Sequence, residues 1–126
     1  MSDTAALVER IATALERLAP ADAAETDWLS HPAYVWDGAG ARAVSRIEAP
    51  ALDLLRGIDA QKCVDAENVA RHAAGHAAHD MLLWGSRGMG KSALLRSSVV
   101  AADAQYPRSI ALVQVALEAL NAVAGL

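Results

Sequence analysis

Two hydrophobic periods divide the chain into segments. Leu7, Ile11, Leu15 and Leu18 recur at helical spacing, with Glu9, Arg10, Glu16 and Arg17 on other faces, so residues 4 to 19 predict an amphipathic helix. Ser2 or Asp3 can cap its start and Pro20 stops it. About two heptads are too few for a self-sufficient coiled coil, so docking against the rest of its own protein is the expected use. A partner-binding helix is the alternative. Residues 20 to 32 show no period and read as a linker that Trp28 and Leu29 can pin to a neighbouring surface. Strand-forming runs at 33–36 and 41–47 then flank Asp37-Gly38-Ala39-Gly40, the pattern of a β-hairpin.

The helical period returns after Pro50. Asp59 is placed to cap a helix of about fifteen residues, with Cys63, Ala66, Ala70 and Ala73 on one face and Gly75 as its C-terminal stop. A short apolar run, Asp80 to Trp84, reads as a strand, and a further helix is expected from about Lys91 to Gln105, where Tyr106-Pro107 breaks it. Ser109 to Leu117 (SIALVQVAL) reads as a second strand. With a helix between them, the two strands should lie parallel in one sheet layer, though not necessarily as neighbours. Glu118 to Leu126 begins another helix-like segment.

Composition narrows the class. Hydrophobic residues make up 54% of the 126, but 30 of them are alanine, Phe is absent, and the aromatics are three Trp and two Tyr. The core they can fill is modest. A formal charge of −4, with Lys and Arg scattered singly among acids, argues against a nucleic-acid binder. The single Cys63 excludes an internal disulfide and suits a reducing compartment, where a small buried apolar helix residue is a simpler role for it than a nucleophile. The N-terminus lacks the pattern of a secretory signal, and the most membrane-like stretch, Ile110 to Leu126, is interrupted by Gln114, Glu118 and Asn121. A cytoplasmic protein with no membrane partner is therefore expected.

Between the strand at 80–84 and the helix at 91–105 lies Gly85-Ser86-Arg87-Gly88-Met89-Gly90-Lys91-Ser92, which fits the phosphate-loop pattern G-x-x-x-x-G-K-[ST] at every fixed position. The flanking elements matter as much as the pattern, because the device needs a strand that delivers the loop and a helix N-terminus that receives the anion. Gly85 and Gly90 allow torsions and close approach that a Cβ would block. Backbone N–H groups from about Gly88 to Ser92 then converge on the phosphates. Lys91 places a charge on the β- and γ-phosphates and the Ser92 hydroxyl ligates Mg²⁺, so ATP and Mg²⁺ are the expected ligands. Ser86, Arg87 and Met89 fill variable positions of the same nucleotide-binding loop. The plain alternative is a glycine-rich turn ahead of a helix.

Three other groups invite chemistry. His72, His76 and His79, followed by Asp80, suggest a metal site by spacing, but Gly75 should end the helix between the first two. A histidine at a helix C-terminus is also favoured by the dipole alone. Tyr34 and Trp36 share one side of their strand and can either stack on a base or pack. Glu118 ends the only later apolar run that finishes in an acid, but as the strand next after the loop's helix it is a poor match for the metal-binding acid of an ATPase. No catalytic residue is assigned.

The stretch Leu82 to Ser92 resembles the phosphate loop of a bacterial family of AAA-type ATP-binding proteins, catalogued as domain of unknown function 815. Leu54-Leu55-Arg56-Gly57-Ile58-Asp59-Ala60-Gln61 resembles that family's segment ahead of the core, which in AAA-type proteins borders the adenine, and Ser109 to Glu118 resembles its second strand. The likeness runs over roughly residues 33 to 126. It implies an α/β fold: the N-terminal half of a P-loop NTPase core of AAA type, preceded by the amphipathic helix and the hairpin, with an incomplete sheet. The expected units are 1–19, 20–49 and 50–126. Later strands with the acidic motif, sensor residues and a helical lid are missing from the pattern, so an N-terminal portion of a longer ATPase is expected. Further copies of the chain or the missing C-terminal half are its expected partners besides nucleotide. A small metabolite kinase and an interaction module with a vestigial loop are the other readings. The first lacks a second charged cluster for an acceptor substrate.

Overall fold

A computed structural model describes residues 2–18 and 25–125. The elements run α1 (Ser2–Leu18), β1 (Ala33–Trp36), β2 (Ala41–Val44), α2 (Asp59–Ala73), α3 (Lys91–Gln105) and β3 (Leu112–Val115). Two 3-10 helices, Leu52–Leu54 and Leu117–Gly125, complete the set. The result is a mixed α/β chain with one small three-stranded sheet, ordered β2-β1-β3.

The hairpin forms as the turn chemistry dictates. Ala33 pairs with Val44 and Trp36 with Ala41, which leaves Asp37 to Gly40 as the loop. The Asp37 carboxylate accepts the backbone N–H groups of Ala39 (2.9 Å) and Gly40 (3.0 Å), and these bonds hold its pKa below the ordinary aspartate value. Gly38 sits at φ 97°, and a Cβ built there would lie 3.3 Å from that of Ala119, so the turn also rests against the final 3-10 helix.

The second strand forms over Leu112–Val115, within the expected run, and its neighbour is the hairpin. β3 pairs in parallel with β1, Ala33 opposite Leu112 and Trp36 opposite Val115. The hairpin thus supplies the central strand, and the crossover from β1 to β3 carries both α2 and α3. The strand expected at Asp80 to Trp84 is a correction: residues 77–84 are in no ladder, and Leu82 and Trp84 remain 85% and 86% exposed. Strand character requires a bonded neighbour. β3 bonds to β1 on one edge, and no described strand lies on its other edge.

α2 and α3 pack on each other, and Leu112 of β3 borders their contact. Ala73, Val99, Ala102 and Ile110 are buried together, ringed by Ile47, Val69, Tyr106 and Leu112. Ser97 Oγ donates to Pro50 O at 2.7 Å and so ties α3 to the chain leading out of the hairpin. The alanines let the two helices approach closely but contribute little apolar area, which keeps this core small. Asp65 and Ser98, one on each helix, are 1% exposed, and neither side chain bonds to a described residue. Two unpaired polar groups at a helix contact oppose its stability.

Tyr34 and Trp36 are packing residues, 3% and 7% exposed, with no face free for a base. The Tyr34 hydroxyl donates to Asp27 O (2.7 Å) and accepts from His31 N (3.2 Å), while Trp28 meets its ring edge-on at 5.1 Å. Trp28 therefore pins the linker, as expected. α1 departs from expectation. All its described side chains are exposed, Leu7, Ile11, Leu15 and Leu18 among them, so no apolar surface of the described chain covers its stripe. Pro20, its expected stop, and the first residues of the linker lie outside the described residues. Among those described, no helix is long and apolar enough to cross a membrane.

Candidate functional site

The approach to the glycine-rich loop is held by the end of α2. Gly75, at φ 78°, turns the chain out of the helix, with Gly75 N donating to His72 O (3.0 Å) and His76 N to Arg71 O (2.9 Å). This is the paired 6→1 and 5→2 bonding that a glycine C′ residue permits. The outgoing segment is then clipped back onto the helix. Arg71 Nε donates to Ala77 O, and Asn68 and His79 exchange two bonds of 2.7 and 2.8 Å. The same turn separates the histidines. His72 stays on α2, His76 lies beyond it, and no group of three His, Cys, Asp or Glu among the described residues is placed to hold a metal. Cys63, expected to be buried, is instead a free thiol on the exposed side of α2.

The loop itself curls through three glycines of positive φ: Gly85 at 139°, Gly88 at 81° and Gly90 at 85°. A Cβ at any of them would meet no atom within 4 Å, so torsion rather than crowding demands glycine there. Gly90 is the N-cap of α3 in the left-handed region, and the helix's own bonding begins with Leu94 N on Gly90 O at 2.9 Å. The N–H groups of Lys91, Ser92 and Ala93 therefore precede the first intrahelical bond, at the positive end of the helix dipole. Lys91 folds back over the loop, its Nζ donating to Gly85 O (2.9 Å) and Ser86 O (2.7 Å). The ammonium thus closes the turn on itself, while Arg87, Met89 and Ser92 are exposed around it.

Beside the loop opens a cavity of about 400 Å³. One wall is the loop and its approach, including Leu83, Met89, Lys91 and Leu94; the other is the start of α2, where Ile58 and Gln61 face it. That second wall comes from a clamped corner. Gly57 turns the chain at φ 77°, and Lys62 Nζ donates to Leu55 O (2.9 Å) while pairing with Asp59 Oδ1 (3.1 Å). Asp59 is the first residue of α2 rather than its cap. Ile58 holds the cap position and makes no side-chain capping bond, so the Asp59 carboxylate is turned to Lys62.

The eight loop residues expected from the pattern thus form the turn Gly85 to Gly90 and the first two residues of α3. Gln61 ends the stretch Leu54 to Gln61 that the sequence singled out, whereas the clamp made by Lys62 has no sequence signature. Glu118 is exposed in the first turn of the final 3-10 helix.

Fold and site together define a small mixed α/β chain whose glycine-rich turn opens onto a helix N-terminus and an apolar cavity. The chain belongs to the family described as protein of unknown function (DUF815), whose model matches residues 29–126. No curated protein and no solved structure matches it significantly.

Proposed function

We propose that the chain binds Mg-ATP through Gly85 to Ser92, as part of an AAA-type P-loop ATPase in the cytoplasm. The observation that carries this reading is Lys91, folded over a loop of three positive-φ glycines whose last member caps α3. An anion seated against the N–H groups that precede Leu94 would meet the dipole of α3 and the Lys91 ammonium together. Donor chemistry fits the ligand. The N–H groups and the ammonium donate only, as a polyphosphate requires, and the exposed Ser92 hydroxyl is an oxygen ligand of the kind Mg²⁺ takes. Bound Mg²⁺ would neutralise charge on the β- and γ-phosphates. The chain's own residues account for binding, and hydrolysis is not assigned to any of them.

Titration with a fluorescent ATP analogue, on wild type and Lys91→Ala, tests this. Loss of an ammonium that bonds to phosphate should weaken binding at least tenfold. Equal affinity for the two proteins would refute the reading.

A further inference from the structure

We propose that α1 pairs in parallel with the α1 of a second copy of this chain, through the apolar stripe that the rest of the described molecule leaves bare. The helix lies outside the matched family span, which begins at residue 29, and makes no use of the glycine-rich loop.

The stripe has the form of a helix-pairing seam. Val8, Ile11, Leu15 and Leu18 follow one another at intervals of three, four and three, the a and d positions of a heptad, and Leu7 widens the strip on one side. All five are more than half exposed, Leu18 at 81%. Together they leave roughly 400–500 Å² of apolar surface uncovered on each copy, so two helices would bury roughly 800–1,000 Å² between them. That lies at the low end for specific association. Two heptads thus give a weak dimer rather than a permanent one, half-formed on the order of tens of micromolar.

The flanking charges decide the occupant and its direction. At about 100° per residue, the first charges met on one side of the stripe are Glu9 and Glu16, beyond Ala5 and Ala12. On the other side they are Asp3, Arg10 and Arg17, beyond Ala14. Parallel helices meet with opposite sides together, which sets Glu9 level with Arg10 of the other copy, and Glu16 level with its Arg17, along both edges. An antiparallel pair would bring like sides together, acids against acids. A helix lying on a membrane surface would carry a basic polar face. Here three acids outnumber two arginines. The pattern complements itself.

Sedimentation of the full chain without nucleotide, over a range of concentrations, tests this. Wild type should pass from monomer to dimer, and Ile11→Asp, which sets a charge in the seam, should stay monomeric. No described side chain of α1 is buried, so that change should spare the rest of the fold. Two further variants leave the seam intact. Glu9→Arg with Glu16→Arg makes both edges basic, and Arg10→Glu with Arg17→Glu makes both acidic. Each should weaken self-association by about tenfold at low salt, as the loss of four exposed ion pairs implies, and mixing the two should restore it. Neither a foreign partner nor loss of the helix would produce that recovery. A wild type that stays monomeric well above the expected midpoint would overturn the proposal, as would a dimer that Ile11→Asp leaves unchanged. Charge variants that associate as wild type does, or a mixture no better than either alone, would overturn the parallel pairing. Binding of a monomeric wild type to phosphatidylserine vesicles would assign the stripe to a lipid surface instead.

Discussion

Gly90→Ala probes the point where loop and helix meet. Gly90 has φ 85° and ψ 14°, and a Cβ there has no atom within 4 Å. The whole cost of the substitution is therefore conformational. Holding an alanine in the left-handed region costs about 1–2 kcal/mol, which for a chain of this size lowers the melting temperature by roughly 3–8 °C. Two responses are open to the variant. If it keeps the torsion, stability falls by that amount and nucleotide affinity is preserved. If it relaxes to negative φ, stability is partly recovered but the N–H groups ahead of Leu94 turn away, and affinity falls instead. Chemical denaturation and fluorescent-nucleotide titration on the same preparation separate the two. Gly40→Ala is the control, since Gly40 has neither positive φ nor a neighbour within 4 Å, and it should be neutral or slightly stabilising. A Gly90→Ala protein with unchanged stability and unchanged affinity would refute the reasoning.

Two further outcomes follow from side chains away from the loop. Ser98→Ala removes a buried hydroxyl that bonds to no described residue, so its stability should be equal to or above that of wild type by up to about 1 kcal/mol, read from the denaturation midpoint; a clear loss would mean the hydroxyl is paired in solution. The Asp37 carboxylate is stabilised in its charged form by the Ala39 and Gly40 N–H groups, so its contribution is complete above the ordinary aspartate value of about 3.9 and is lost as pH falls through the lowered folded value. Asp37→Asn, which keeps an acceptor but does not titrate, should flatten that part of the acid denaturation profile. An Asp37 carboxyl that titrates at the ordinary value, followed by NMR, would count against the turn geometry.

Local signals accounted for much of the fold. α3 runs over Lys91–Gln105 as its spacing and the Tyr106-Pro107 break require, and α2 stops at Gly75 because only a residue free to take positive φ completes those two bonds. The hairpin turn, too, is chemistry confined to four residues. In the same way, the glycine positions and Lys91 were enough to outline the loop, since its geometry is made within a few residues.

Pairing was another matter. The run at Asp80 to Trp84 has strand composition, but a strand exists only where another backbone bonds to it, and no described segment pairs with this one. Nor does the stripe of α1 show by itself that no described segment covers it; its side chains stand exposed. The cavity's far wall, Ile58 and Gln61, was marked only through the resemblance of Leu54 to Gln61, and periodicity did not place it. Ile58 and Gln61 reach the loop because α2 packs along α3, and the clamp at Lys62 depends on a corner that periodicity does not describe. What the sequence by itself determined, then, was features whose partners lie within about one turn of chain: the extents of α2 and α3, the hairpin turn and the glycine-rich loop. The tertiary structure alone decided which strands join, which side chains are left unpaired and what faces the loop, because those depend on contacts between segments far apart in the chain, for which local composition carries no address.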